Sequence, residues 1–201
     1  MKKHTLKRII ALLCACVLTF LGVIGSPVTA RAEHREYPYD VDTEWTPDDV
    51  EEMIDYATQW VGKIDYASSQ NNTDPGNRRH EELHSGGATD CSWFVFHVLY
   101  RFGLLNDFVH SYDWGNSPSC YPGAHNISNS ISNAVPGDII CTGAGTKPQN
   151  SHVAIYIGNG QVVECCAGRG VVISDAPSHP RDIVHFSCIP TEYIDKGVDV
   201  E

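Results

Sequence analysis

The chain has 201 residues, with 14 Lys and Arg against 25 Asp and Glu, a formal net charge of −11 with histidine neutral. That length suits one domain and makes two cramped. The acidity argues against a protein that grips nucleic acid or an anionic membrane surface.

The first residues read as a targeting segment. Lys2, Lys3, Lys7 and Arg8 precede an apolar run from Ile9 to Gly25, interrupted only by Cys14, Cys16 and Thr19, and Ala30-Arg31-Ala32 follows as a small-x-small site. This pattern predicts a secretory signal peptide, residues 1–32, cut after Ala32. The run also reaches the lower length limit of a spanning helix, so an uncleaved anchor is the rival reading. Cleavage would remove five basic residues (Lys2, Lys3, Lys7, Arg8 and Arg31) and no acidic one, leaving 9 against 25 and a net charge of −16. No second membrane span is expected after cleavage.

Six cysteines follow residue 32: Cys91, Cys120, Cys141, Cys165, Cys166 and Cys188. Secretion would permit disulfides, but the spacing sets no regular framework and assigns no bridge. Paired C-x2-C knuckles are absent, so the pattern does not read as a zinc site.

Residues 33–45 read as a polar leader, and 46–195 as the folded domain before a short acidic tail, 196–201. A helix is predicted from Pro47, with Thr46 as its cap and Asp48 and Asp49 at its positive end. Val50, Met53, Ile54, Ala57, Trp60 and Val61 fall on one face, and Gly62 can end it. Residues 67–90 form a long polar stretch read as a loop, either a surface insertion or a substrate lid. A second helix is predicted over Cys91–Phe102, stopping at Gly103, with Phe94, Val95, Val98, Leu99 and Phe102 on the face that also holds Cys91. Residues 104–135 read as irregular.

From Pro136 the pattern turns to short segments bounded by Gly, Pro or Asn: 137–141, 152–157, 161–166, 171–175 and 182–189. Helices first and strands afterwards predict an α+β domain, N-terminal helices packed on an antiparallel sheet.

Two features carry chemistry. Thr89 or Asp90 caps the second helix, so Cys91 falls at its first turn. Unpaired N–H groups there favour a thiolate, the nucleophilic form, and can hold an oxyanion. A buried structural cysteine is the plain alternative. The second feature is the hairpin "SHVAIYIGNGQVVECC", Ser151–Cys166. A three-residue Gly158-Asn159-Gly160 turn would set Ile157 opposite Gln161, and His152 and Glu164 would then share a face as diagonal neighbours. The carboxylate could orient the imidazole. A two-residue Asn-Gly turn without a bulge would flip the parity and part them. The same register puts Cys166 opposite His152, where it could form a redox bridge with Cys91.

A cysteine at a helix start, a histidine at a strand start and an acid on the next strand make a papain-type set. The blocks "TDCSWFVFHVLYRFGL", "VPGDII" and "SHVAIYIGNGQVVE" resemble the three signature blocks of the NlpC/P60 cysteine peptidases, over about residues 47–175. The resemblance implies a papain-like fold and a secreted, wall-associated hydrolase of peptidoglycan stem peptides that needs no metal or organic cofactor. It implies a catalytic triad of Cys91, His152 and Glu164, the last at a position where the family most often has His, sometimes Asn or Gln. It further implies that Tyr66, Asp90 and Ser92 line the substrate site. Trp93 stands beside them where the family prefers glycine. "CSWFV" with a glutamate as third residue also resembles CHAP-type amidases. A non-catalytic wall-binding or partner-binding module is the reading from another class.

Overall fold

The computed structural model describes residues 45–67, 81–105, 107–111, 113–114, 124–143 and 151–191. The predicted signal segment, residues 33–44 of the leader, Cys120 and the acidic tail lie outside the described residues, as does the 68–80 part of the polar stretch. No described helix is long and apolar enough to cross a membrane.

Helix α1 spans Pro47–Thr58. Its start is a reciprocal cap: Thr46 Oγ1 accepts from the Asp49 N–H at 3.4 Å, and Asp49 Oδ2 accepts from the Thr46 N–H at 2.8 Å. Two orphan N–H groups are thereby satisfied. Val50, Met53 and Ala57 are buried, as the spacing predicts. The helix ends short of Gly62, and turns carry the chain there. Gly62 takes φ +69° and donates its N–H to the Val171 carbonyl at 2.9 Å.

The next elements are two very short strands, β1 (Asp65–Tyr66) and β2 (Ala88–Thr89), paired in parallel with Tyr66 opposite Thr89. They correct the reading of 67–90 as loop throughout, because its C-terminal end is pinned beside Tyr66. Helix α2 then spans Cys91–Arg101 and is followed by Gly103 at φ +72°.

Strand β3 (Ala124–Ser128) lies inside the stretch read as irregular. Its "AHNIS" has no apolar alternation, and it exists because it pairs as an edge with β8 (Asp182–Phe186). Between them in sequence come β4 (Ile139–Thr142), β5 (His152–Gly158), β6 (Gln161–Cys166) and β7 (Gly170–Asp175). The six form an antiparallel sheet in the order β3-β8-β4-β5-β6-β7.

Alternation along the strands splits the interior in two. Odd-numbered Ile139, Val153, Ile155, Val163 and Cys165 share the larger core with Phe94, Val95, Val98 and Leu99 of α2. Even-numbered Ile140, Ala154, Tyr156 and Val162, with Ile183, form a smaller cluster. Each large apolar side chain buried here contributes about 1.5–3 kcal/mol of transfer free energy. The core thus fixes α2, and with it Cys91, against β5 and β6.

The β5–β6 register pairs Ile155 with Val163 and Tyr156 with Val162, the expected parity, but the tip differs from the expectation. The turn has two residues, Asn159 (φ +51°) and Gly160 (φ +70°), with Gly158 opposite Gln161 and a register shift between Tyr156 and Gly158. Asn-Gly suits a turn needing positive φ at both central positions. The bulge supplies the extra residue that restores the parity.

Gly170 opens β7 at φ +68°, and a Cβ there would stand 2.1 Å from the Ile64 carbonyl oxygen. Glycine alone permits this approach, which lets the Val171 N–H donate to that carbonyl at 3.0 Å. The segment leading into Tyr66 is thereby fastened to the sheet.

Candidate active site

Asp90 is the N-cap of α2. Its Oδ1 accepts from the Trp93 N–H at 3.0 Å and from the Ser92 hydroxyl at 2.9 Å. Cys91 is therefore the first helical residue, 7% exposed and a free thiol. The first N–H groups of a helix have no intrahelical acceptor and carry partial positive charge.

His152 opens β5, and its Nε2 lies 2.5 Å from Glu164 Oε2. The Cys91 thiol lies beside the imidazole, close enough for the two to interact electrostatically. Thiol, imidazole and carboxylate, 73 residues apart in sequence from Cys91 to Glu164, are thus gathered at one place. Burial works to lower the pKa of His152, but the hydrogen bonds and charges of Cys91 and Glu164 outweigh it and raise it from 6.5 to about 9. The hydrogen bond from His152 holds the Glu164 carboxyl at about 2, against desolvation, with help from Ser174 and Arg169. These opposed shifts are those of a charged pair.

Tyr66 stands at the same place. Its phenol is pushed up to about 12, first by burial and then by Cys91 and Asp90. It remains protonated at neutral pH and able to donate. Asp90, Ser92 and Tyr66 are therefore gathered around the Cys91 end of α2. Trp93 is half-buried and turns to another neighbour, stacking on Phe108 at 4.1 Å between ring centroids and 14° between planes.

The remaining described cysteines are free thiols as well. Cys165 is buried and donates to the Thr89 carbonyl at 3.3 Å, which ties β6 to β2, and burial raises its pKa. Burial likewise pushes Cys141 up to about 12 and Cys188 up to about 11. Cys166 is not bridged to Cys91; its thiol neighbours Glu164 and Arg169. Among the described residues no three His, Cys, Asp or Glu side chains converge as a metal site.

Sequence reasoning missed the support around these groups. Arg169, in the turn between β6 and β7, donates Nη2–H to Glu164 Oε1 at 3.3 Å. Ser174 on β7 accepts from Arg169 Nη1 at 3.4 Å and helps to lower the pKa of the same carboxylate. Ser111 and Ser151 share a hydroxyl hydrogen bond of 2.8 Å that anchors the residue before His152. A signal for Arg169 was present: it is the single Lys or Arg between Lys147 and Arg181, five residues beyond a buried acid.

A cysteine on a helix start, packed on an antiparallel sheet whose adjacent strands carry histidine and carboxylate, is a papain-like architecture. The chain belongs to the NlpC/P60 family, whose model matches residues 75–181. Among solved structures, NlpC2 from Trichomonas vaginalis is 20% identical, with a TM-score of 0.48, over 72% of this chain and 50% of that one. This chain therefore spans half the length of that protein. The NlpC/p60 domain of the peptidoglycan hydrolase SagA is 21% identical, with a TM-score of 0.43, over 68% of this chain and 98% of that one. RipD from Mycobacterium tuberculosis, a non-catalytic NlpC/p60 domain protein adapted to peptidoglycan binding, is 19% identical, with a TM-score of 0.44, over 68% and 95%. A search of curated proteins gives no match.

Proposed function

We propose that this protein is a cysteine peptidase that hydrolyses amide bonds in peptidoglycan stem peptides, with Cys91, His152 and Glu164 as its catalytic triad. The observation that carries the proposal is the His152 Nε2–Glu164 Oε2 contact of 2.5 Å, set beside a free Cys91 thiol at the first position of α2. Family membership supplies the substrate class.

Glu164 engages Nε2 of His152, which leaves Nδ1 for the thiol. His152, raised to about 9, rests as the imidazolium that already holds the proton given up by the Cys91 thiol, and the sulfur attacks the amide carbon. The oxyanion is held by backbone N–H groups at the start of α2. The His152 imidazolium, stabilised by Glu164, gives its proton to the departing amine as the C–N bond breaks. A water, deprotonated by His152, then hydrolyses the thioester and restores the thiol. Tyr66, Asp90 and Ser92 line the site for the substrate's free amine. Trp93, committed to its stack with Phe108, narrows the space beside the nucleophile where the family has glycine. The N-terminal segment directs the chain out of the cell to the wall.

Digestion of purified peptidoglycan with the 33–201 chain tests this reading. Cut stem peptides, identified by mass, support the peptidase. Release of whole stem peptides from the glycan would instead support the amidase reading, which uses the same three residues. Binding without any cleavage would support the non-catalytic one.

A further inference from the structure

Resting on that reading, we propose that Arg169 is a positioning residue for the site: its guanidinium clamps the Glu164 carboxylate so that the other oxygen faces His152. Nη2 donates to Glu164 Oε1 at 3.3 Å, and Nη1 donates to Ser174 Oγ at 3.4 Å. The opposite oxygen, Oε2, is the one 2.5 Å from His152 Nε2. Ser174 also acts on the carboxylate electrostatically, so one guanidinium links the acid to the neighbouring strand.

A glutamate in this role needs such a clamp. Its terminal torsion is broad, and either oxygen can face the imidazole. Glu164 is also buried, at 8% exposure, and an ionised buried carboxylate needs partners for both oxygens. The backbone aims the clamp. The Arg169 N–H donates to the Cys166 carbonyl at 3.1 Å, and the turn is flanked by Gly168 at φ +77° and Gly170 at φ +68°. The close approach of Gly170 to Ile64 fixes the turn from beneath.

Glu164 is faced by His152 from β5, by Arg169 from the turn, by Ser174 from β7 and by the Cys166 thiol on its own strand, with Cys91 reaching it through His152. Arg169 is the fixed cation of this set. Without it, the carboxylate is free to rotate, and its support of the imidazolium that faces the Cys91 sulfur weakens. The Arg169 side chain is 58% exposed, so its replacement leaves the core untouched and its effect weakens with added salt.

The test compares wild type with Arg169→Gln, Arg169→Lys and Ser174→Ala. Iodoacetamide labelling of the Cys91 peptide is followed by mass from pH 3 to 8, beside hydrolysis of soluble muropeptides. Arg169→Gln is expected to move the acid limb of Cys91 labelling up by roughly 0.5 pH unit or more. It should also lower kcat by roughly tenfold with KM little changed. Arg169→Lys should restore the acid limb, and Ser174→Ala should shift it in the same direction. A reactive wild type with an unmoved limb in Arg169→Gln overturns the assignment of Arg169 alone. A wild-type Cys91 that labels no faster at acidic pH than free cysteine overturns the triad itself, and the clamp with it.

Discussion

His152 Nε2 and Glu164 Oε2 stand 2.5 Å apart, although twelve residues and a bulged turn separate them. Their contact is a charge-assisted hydrogen bond, and it raises His152 as it lowers Glu164. Glu164→Gln keeps a hydrogen-bond acceptor and removes the charge. The loss, about 1–1.5 kcal/mol of a charged bond's advantage, corresponds to roughly a tenfold fall in kcat/KM. The alkaline limb of the pH–rate profile, set by His152 near 9, should move towards its ordinary value. A variant that keeps the wild-type alkaline limb would show that Glu164 does not charge His152.

Stability should follow pH through the same pair. Glu164 titrates lower when folded, so its contribution is present above about 4.5 and is lost as pH falls towards 2. His152 titrates higher when folded, so its contribution is full below about 6.5 and is lost as pH rises through 9. Both are complete between pH 4.5 and 6.5. The part common to the two shifts, the His152–Glu164 contact, counts once, on the order of 2 kcal/mol. Urea unfolding of wild type and Glu164→Gln at pH 5.5 and pH 10 should show their difference shrinking by about that amount at the higher pH.

Gly170 is the most sensitive glycine among the described residues. Gly170→Ala meets the Ile64 carbonyl and a positive φ together. Backbone strain of about 1 kcal/mol and the clash should together cost about 2–4 kcal/mol. Chemical unfolding measures the loss, and Gly168→Ala serves as the control. Gly168 also has positive φ, but nothing stands where its Cβ would be, so it should cost less.

The Trp93–Phe108 stack ties the residue two positions after Cys91 to the segment beyond α2. A double-mutant cycle with Trp93→Leu and Phe108→Leu should give a coupling of about 0.5–1.5 kcal/mol. Trp93→Leu should also change KM more than kcat if the ring shapes the substrate space. Unfolding curves and muropeptide kinetics check the two parts separately.

The sequence carried those features whose cause is local or periodic. Thr46, Pro47 and Asp49 announce α1, and Asp90 announces the start of α2, because caps are short-range chemistry. The apolar alternation of 152–157 and 161–166 carried the parity of β5 and β6, and so the meeting of His152 with Glu164. The turn differs from the expectation, because a bulge at Ile157 leaves no mark in composition. Strands β1 and β2 have two residues each, too few for a period, and β3 is formed by pairing with β8 and not by its own propensity. Arg169 and Ser174 were missed for a related reason: their meeting at Glu164 depends on the β6–β7 register, and the sequence reading set a register for the preceding hairpin alone.

The central claim is that the Cys91 sulfur performs the chemistry. The most direct measurement incubates purified peptidoglycan with the 33–201 chain and with its Cys91→Ala variant, followed by mass analysis of the soluble fragments and circular dichroism of both proteins. Cut stem peptides from the wild type, and none from an equally folded Cys91→Ala protein, are the predicted result. Equal fragments from the two proteins, or none from a folded wild type, would contradict the account.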